Sequence, residues 1–364
     1  MAAGEQFGAY TVYECLGAGG MATVHRASIE LENDETREVA LKRLLPQYAS
    51  DKRFVDDFIR EAKLAAELQH PNIVRVLELG RIGRTYFIAM DLVHGRSLMS
   101  LMRKAFEKRM SAPIGVVIAL MIELCDALEH AHDAQIVHRD LTPSNLIVTT
   151  DGHLKIIDFG VAKALVGNLQ TSSGLAKGKL GYMANEAIGG KQLDTRADIF
   201  SAGVVMWELL ATRRLFKGKN EYEVIVQIRE GLVAPPSQQN PECPRQLDDI
   251  VQIALAKSRE DRWSSAGEMR DAIAELRDVY PASAADVVRW VQQLWPATLP
   301  HAESEAESTE VHASTNDLFA RGSDIETYDE PVDVPDELAE AERRRFLESD
   351  TVITGESTID ERKR

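Results

Sequence analysis

The first ninety residues alternate between apolar and polar positions in short runs, as expected of β-strands. The run Tyr10-Thr11-Val12-Tyr13-Glu14-Cys15-Leu16 shows this best, and further strands are predicted at 74–80 and 85–90. One amphipathic helix interrupts them at about 52–68, where phenylalanine and alanine side chains recur at helical spacing. This part of the chain therefore predicts a β-sheet accompanied by a single helix.

From Ser97 onward the apolar residues recur at helical spacing. Residues 113–134 carry one stripe of valine and leucine, and shorter helices are predicted near 221–230, 247–257 and 266–279. The order of strands followed by helices predicts an α+β protein with a strand-rich first part and a mainly helical second part.

A last amphipathic helix is predicted at 283–295. Its apolar side chains share one face: Val287, Trp290, Val291, Leu294 and Trp295. We expect this face to pack on the helical part of the chain, and docking of a partner protein is the alternative.

The stretch 138–160 concentrates polar side chains around a turn. It reads His138-Arg139-Asp140-Leu141-Thr142-Pro143-Ser144-Asn145, then an apolar run, Asp151-Gly152, a second apolar run and Asp158-Phe159-Gly160. Apolar runs on both sides of Asp-Gly predict a hairpin, which brings Asp140, Asn145 and Asp158 near one another. The oxygens of Asn145 and Asp158 suit Mg²⁺, and Asp140 remains to orient a hydroxyl nucleophile. Such a set fits phosphoryl transfer, where positioning and charge neutralisation supply most of the catalysis.

Composition narrows the class of protein. The 364 residues are 44% hydrophobic, enough for a sizeable core, and the three cysteines lie far apart, so no disulfide framework or thiolate metal site is implied. No apolar run approaches the roughly 20 residues that a membrane-spanning helix needs. The first residues lack the basic region and apolar core of a signal peptide. We therefore expect a cytoplasmic protein without a membrane span.

The acidity of the chain is concentrated at its end. The formal net charge is −16, and the residues from His301 onward, with 19 acidic and 7 basic side chains, account for −12 of it. Residues 1–300 therefore carry a net charge of −4, and this balance disfavours nucleic acid as the main partner. Residues 298–364 are rich in Glu, Asp, Ser and Thr, a composition that predicts a disordered acidic tail.

The pattern His-Arg-Asp-x4-Asn followed by Asp-Phe-Gly resembles the catalytic and metal-binding loops of the eukaryotic-type protein kinases. The form Leu141-Thr142-Pro143-Ser144-Asn145 is most similar to the bacterial serine/threonine branch and unlike tyrosine kinases. The resemblance implies a two-lobed kinase domain at 7–280, divided near residue 92. It leaves 281–297 as an additional helix that packs on the large lobe, and 298–364 as the tail.

The resemblance also implies an ATP site in the small lobe. Gly17-Ala18-Gly19-Gly20-Met21-Ala22 is similar to the kinase phosphate loop, although Ala22 stands where the family has a third glycine. Lys42 would pair with the α- and β-phosphates and with Glu61, while Met90 and the backbone of Asp91 and Val93 would surround the adenine. The implied ATP-binding residues are Leu16, Gly17, Ala18, Gly19, Gly20, Met21, Ala22, Thr23, Val24, Ala40, Lys42, Met90, Asp91 and Val93.

In the large lobe, the resemblance makes Asp140 the residue that orients and deprotonates the acceptor hydroxyl. It makes Asn145 and Asp158 ligands of Mg²⁺, with Mn²⁺ as the alternative, and His138 a structural residue. Further structural or regulatory residues implied are Arg139, Glu186, Asp198 and Arg262, with Thr171, Ser172 and Ser173 as phosphorylation sites in an activation loop.

Two departures from the family pattern stand out. Ala184-Asn185-Glu186 lacks the usual proline. Most relatives have a lysine two residues after the catalytic aspartate and a threonine in the later loop, whereas this chain has Thr142 and Lys179. We hypothesise that Lys179 contacts the transferred phosphoryl group from the opposite side, a solvent-exposed lysine being the alternative.

The function expected is transfer of the γ-phosphoryl group of ATP to serine or threonine hydroxyls of protein substrates, with autophosphorylation in the activation loop. A catalytically silent pseudokinase scaffold is the alternative, although Lys42, Asp140, Asn145 and Asp158 are all present. A small-molecule kinase is disfavoured by the loop that ends at Glu186 and by Arg262. A partner that recognises the phosphorylated tail is a further possibility.

Overall fold

The structure is a computed structural model that describes residues 4–31, 35–159 and 179–295. The candidate phosphorylation sites Thr171, Ser172 and Ser173 and the tail at 298–364 lie outside these residues. None of the helices in the described ranges is both long enough and apolar enough to cross a membrane.

A six-stranded antiparallel sheet forms the first lobe, in the order β1-β2-β3-β4-β6-β5. Its strands are β1 (Glu5–Phe7), β2 (Tyr10–Ala18), β3 (Ala22–Glu30), β4 (Thr36–Leu44), β5 (Val76–Ile82) and β6 (Thr85–Asp91). Helix α1 (Lys52–Ala66) covers one face, where Val55, Phe58 and Ala62 pack with Leu44 and Ile88. The other face has its own apolar cluster around Val12, Leu41 and Phe87.

The end of α1 and the start of β5 differ from the sequence prediction, because nearby residues join the second lobe. Helix α1 ends at Ala66, and Leu68 beyond it is buried in the core of the second lobe. Strand β5 begins at Val76 because the amide of Val74 donates to Ile156 O at 2.9 Å. Residues 68–74 therefore link the lobes, with Leu68, Asn72, Ile73 and Val74 buried.

The second lobe is mainly helical around a small sheet of β7 (Gly95–Ser97), β8 (Leu146–Thr149) and β9 (Leu154–Ile156). Its helices are α2 (Leu98–Lys108), α3 (Ile114–Asp133), α4 (Asn185–Ile188), α5 (Arg196–Ala211), α6 (Glu221–Glu230), α7 (Arg245–Ala254), α8 (Ala266–Ala274) and α9 (Ala284–Leu294). All of α5 except its first residue is buried, which is why its apolar residues show no one-sided pattern. Helices α7 and α8 end before the predicted 257 and 279, at Ala254 and Ala274.

Strands β8 and β9 form the hairpin predicted around Asp151-Gly152. Gly152 has φ +91°, and a Cβ there would meet Ala284 O at 2.2 Å, so both conformation and packing require glycine. The hairpin fixes the positions of Asn145 before it and Asp158 after it.

Helix α9 packs on α2 and α3. It begins with a capping box between Ser283 and Asp286, and it buries Val287, Trp290 and Leu294. Burial of a tryptophan and two aliphatic side chains on this scale stabilises the contact by several kcal/mol.

Candidate active site

The glycine-containing turn between β2 and β3 lies above the site. The sheet register pairs Gly17 with Val24 and then Val24 with Lys42, so the turn and the lysine lie on neighbouring strands. Gly17 and Gly20 have no heavy atom within 4 Å of an added Cβ, and neither has positive φ. Neither packing nor backbone conformation within the described residues requires glycine there. A close approach by a ligand such as a phosphate explains their use better.

Lys42 is buried between two carboxylates. Its Nζ lies 2.5 Å from Glu61 Oε1 and 2.7 Å from Asp158 Oδ1. Burial would lower the pKa of Lys42, but Asp158 and Glu61 outweigh burial and raise it, so the ammonium stays charged. Burial, and then the charge of Asp158, raise the pKa of Glu61 to about 8. Strand β4, helix α1 and the end of β9 thus meet at this lysine.

The catalytic-loop residues cluster around Asp140. Asn145 Nδ2 donates to Asp140 O at 2.8 Å and to its Oδ2 at 3.3 Å. Lys179 Nζ lies 2.8 Å from Asp140 Oδ2 although it is 39 residues further along the chain. The buried Thr142 shares a hydrogen bond of 2.7 Å with the hydroxyl of Ser144. The structure therefore brings Lys179, but not Thr142, into contact with the candidate base.

Asp198, at the start of α5, holds the backbone of this loop. Its carboxylate accepts from the amides of His138 at 2.7 Å and Arg139 at 2.9 Å, and it lies 2.9 Å from His132 Nε2. Burial would raise the pKa of Asp198, but the hydrogen bonds with His132 and the Arg139 amide keep it below its usual value. Arg139 has φ +65°, a conformation uncommon outside glycine, and these hydrogen bonds stabilise it. Sequence reasoning missed His132, whose only signal is its position in the last turn of the predicted 113–134 helix.

His138 is completely buried, and burial lowers its pKa. Its Nδ1 accepts from the Asp140 amide at 3.2 Å, and its ring packs on Phe159 at 4.7 Å between centroids. A neutral imidazole held in this way suits a structural role.

Glu186 and Arg262 form a bidentate ion pair with distances of 2.6 and 2.9 Å. Both side chains are buried, and Arg262 also donates to carbonyl oxygens of Ala256 and Arg196. The pair therefore ties the loop after Lys179 to the body of the second lobe.

The residues predicted to surround adenine lie at the end of β6. Ala40 pairs with Met90 across the sheet, and Met90 lines a pocket between the lobes together with Lys42, Glu61, Asp158 and Phe159. The Asp91 amide donates to Arg75 O at 3.0 Å, so the carbonyl is the Asp91 backbone group that remains to meet the adenine edge. The Asp91 side chain forms ion pairs with Arg37 and Arg75, which leave this backbone role unaffected.

The side chains of Asn145 and Asp158 suit a cation that binds together with the phosphates of a substrate. Within the described residues no group of three His, Cys, Asp or Glu could hold a metal by itself. Asn145 and Asp158 instead offer one amide and one carboxylate, and Asp158 lines the pocket together with Lys42. Mg²⁺ is commonly held by one or two such ligands together with substrate phosphates, so these residues fit it.

A second cluster beside the site, buried except for Arg214, was not anticipated from the sequence. Tyr182 donates to Glu208 Oε2 at 2.7 Å, and Arg214 contacts both the Tyr182 hydroxyl and, at 3.5 Å, Glu208. Ser201 Oγ donates to Tyr182 O at 2.8 Å. These contacts join the segment after Lys179 to α5 and to the loop that follows α5.

Comparison with known proteins agrees with this architecture. The family model for the protein kinase domain matches residues 10–274, and the chain belongs to the protein kinase family. The structure is similar to the PknI kinase domain of Mycobacterium tuberculosis, with a TM-score of 0.58 and 29% identity over 76% of this chain and 98% of that one.

Several curated bacterial kinases are similar in sequence. The tyrosine-protein kinase MasK of Myxococcus xanthus is 37% identical over 74% of this chain and 43% of its own length. The serine/threonine-protein kinase PrkC of Bacillus subtilis is 32% identical over 79% of this chain and 43% of its own length. PknA of Mycobacterium tuberculosis, also a serine/threonine-protein kinase, is 33% identical over 74% of this chain. The chain thus spans less than half the length of the first two relatives.

Proposed function

We propose that this chain is a serine/threonine protein kinase that uses ATP with Mg²⁺ and acts on proteins, its own chain included. The observation that carries the proposal is the connected set Glu61–Lys42–Asp158 beside Asp140–Asn145. Five residues that are distant in sequence meet here with the charges that phosphoryl transfer needs. A cytoplasmic location, where ATP is available, is part of the proposal.

Each residue has a role in the proposed reaction. The glycine turn and Lys42 hold the phosphates, and Glu61 fixes Lys42. Asn145 and Asp158 would hold Mg²⁺, which neutralises phosphate charge when bound. Asp140 orients the acceptor hydroxyl and accepts its proton. A bond forms between the hydroxyl oxygen and the γ-phosphorus as the bond from that phosphorus to the β–γ bridging oxygen breaks, and ADP leaves.

Acceptance of serine and threonine, as opposed to tyrosine, is proposed from the loop Leu141-Thr142-Pro143-Ser144-Asn145 and from the names of PrkC and PknA. MasK, by contrast, is named a tyrosine-protein kinase, so the acceptor amino acid has to be tested. Identification of the phosphorylated amino acid in the reaction product answers it directly.

The test is incubation of purified protein with labelled ATP and Mg²⁺, comparing wild type with Asp140→Asn. We expect phosphoserine or phosphothreonine from wild type and loss of at least ~10²-fold in the variant, the scale of removing one acid–base group. Wild-type protein that binds ATP without transferring phosphate would identify a pseudokinase. Exclusive phosphotyrosine would overturn the proposed acceptor.

A further inference from the structure

The loop between α5 and α6, residues 212–220, is the most basic short segment near the site. Four of its nine residues are Arg or Lys and none is acidic. Arg213, Arg214, Lys217 and Lys219 are all exposed. No ion pair holds Arg213, Lys217 or Lys219 within the part of the chain that the structure describes.

This basic loop is joined to the candidate active site by direct contacts. Arg214 contacts Tyr182 and also donates to Met99 Sδ at 3.2 Å, on the first turn of α2. The backbone of Phe216 lies 3.6 Å from the position of a Cβ on Gly181. Lys179, at the start of the same segment, reaches Asp140. The loop therefore borders the surface on which an acceptor peptide must lie to reach Asp140.

One further cation and three acids lie near this surface. Arg139 lies beside Asp140, and its buried Nε has no hydrogen-bond partner within the described residues. Glu208, the acid in contact with Arg214, is buried and bonded to Tyr182 and to the Leu215 amide. Glu221 and Glu223, at the start of α6, bring negative charge beside the loop, and Glu223 also accepts from the Lys219 amide at 2.8 Å. The four cations of the loop and Arg139 still outnumber these two acids and Glu208. The exposed charges around the loop thus favour an anionic ligand.

The chain carries an acidic segment that can reach this surface. Residues 348–361 have five acidic and no basic side chains, and they include Thr351, Thr354, Ser357 and Thr358. The described chain ends at Trp295, whose ring lies 4.3 Å from the Arg96 guanidinium on β7, immediately before α2. Helix α2 also carries Met99, so the tail starts beside the helix that contacts Arg214. The roughly 55 residues from Trp295 to Thr351 span up to ~190 Å when extended, so their length does not limit the approach.

We propose that the basic loop selects acidic serine/threonine segments as substrates, and that residues 348–361 of the same chain form one of them. This rests on the proposed kinase function and names its substrate class. Attraction between the loop and the acidic segment raises the encounter rate and holds the acceptor near Asp140. Salt weakens this attraction.

The first experiment compares two peptides, 348–361 and the same peptide with Asp and Glu replaced by Asn and Gln. The full chain is compared with Arg213→Glu/Lys217→Glu/Lys219→Glu and with the control Arg245→Glu/Lys257→Glu/Arg277→Glu, which reverses three exposed charges elsewhere on the second lobe. We expect kcat/KM to favour the acidic peptide about 10-fold in wild type and control, the scale of a few exposed ion pairs. The loop variant should lose this preference while retaining its rate on the neutral peptide.

Equal rates on both peptides in wild type would overturn the inference and leave the kinase function intact. Absence of transfer to any peptide would instead contradict the kinase function. Binding of the fluorescent acidic peptide to the Asp140→Asn protein, measured by anisotropy, tests the loop independently of catalysis. Stronger binding of a single-stranded RNA than of the acidic peptide would assign the loop to nucleic acid and overturn the inference.

The second experiment concerns the chain's own tail. Mass spectrometry after incubation with ATP should find phosphate within 348–361 in wild type and control, and much less in the loop variant. The initial rate per molecule should not change with protein concentration, as expected for a reaction within one chain. A rate that rises in proportion to concentration would overturn the same-chain assignment.

Discussion

The Arg262 guanidinium binds the Glu186 carboxylate through two nearly parallel contacts of 2.6 and 2.9 Å. The neighbouring Asn185, which replaces the usual proline, is the first residue of α4 and leaves this pair intact. Proline is favoured at a first helical position because the amide there has no partner within the helix. Loss of the proline therefore removes rigidity from the loop but no contact from the site.

We accordingly expect Asn185→Pro to be tolerated. Ala184 before it has φ −67° and ψ 154°, which a following proline accepts. The substitution should raise the free energy of unfolding by about 0.4–1 kcal/mol, because it restricts the unfolded chain. Thermal unfolding measures this, and kinase activity should stay within about twofold of wild type. A loss of stability would show that Asn185 has a role that its contacts do not explain.

The raised pKa of Glu61 predicts a pH dependence of stability. The folded protein holds this proton with a pKa of about 8, against an ordinary value of 4.5. The stabilisation is therefore fully present below 4.5 and is lost as pH rises through about 8. Glu61→Gln should remove this dependence, changing the slope of unfolding free energy by up to ~1.4 kcal/mol per pH unit in that window. Chemical denaturation at several pH values measures it.

The exposed Glu67→Gln, at the end of the same helix, provides the control and should leave the slope unchanged. If wild type and Glu61→Gln change in parallel between pH 5 and 8, Glu61 is ionised throughout. The Lys42 ammonium, 2.5 Å from Glu61 Oε1, would then outweigh burial and the charge of Asp158.

Lys42→Met and Asp158→Ala should each lower turnover by ~10²-fold or more with the fold retained, because each removes charge that acts on phosphates or metal. Initial rates at saturating ATP measure this, with circular dichroism as the check on folding. Lys63→Met, on the exposed face of α1, is the control. Retention of a tenth of wild-type turnover in both variants would contradict the catalytic assignment.

The strand-rich first part and the helical second part follow from local patterns in the sequence, whereas the two lobes and the site roles follow from the family resemblance that the motifs carry. The Asp-Gly turn between two apolar runs is visible in the sequence, and the hairpin it forms fixes the spacing of Asn145 and Asp158. The contacts of His132 with Asp198 and of Arg214 with Glu208 could not be predicted in this way. Each joins separate elements through the packing of α5, and an isolated histidine or arginine has no sequence pattern that names its partner.

Arg139 motivates a prediction about the activation loop. Its guanidinium lies next to the catalytic loop, and its buried Nε lacks a partner within the described residues. A phosphate on Thr171, Ser172 or Ser173 would supply a bidentate acceptor. The triple alanine variant should therefore lose most of its activity, and Arg139→Ala should make wild-type phosphorylation ineffective. Full activity in the triple alanine variant would contradict this regulation.

The contact between Lys179 and Asp140 supports the hypothesis of an exchange between two loops. At 2.8 Å from Asp140 Oδ2, Lys179 Nζ is within reach of a phosphoryl group that approaches an acceptor held by Asp140. A point charge on a flexible stem can serve from either backbone position. Lys179→Ala should lower turnover by about 10²-fold, the scale of losing one well-placed charged donor. Steady-state kinetics should show the effect in kcat more than in KM.

The double variant Thr142→Lys/Lys179→Thr should recover much of that loss, because it restores the arrangement of most relatives. Thr142 is 2% exposed, so a lysine there must displace the contact with Ser144 and extend toward the site. Thermal unfolding must therefore accompany the rate measurement. Thr142→Lys alone is the control, and it should not gain activity, because two ammonium groups would then compete for Asp140. Wild-type turnover in Lys179→Ala would show that its ion pair with Asp140 has no part in phosphoryl transfer.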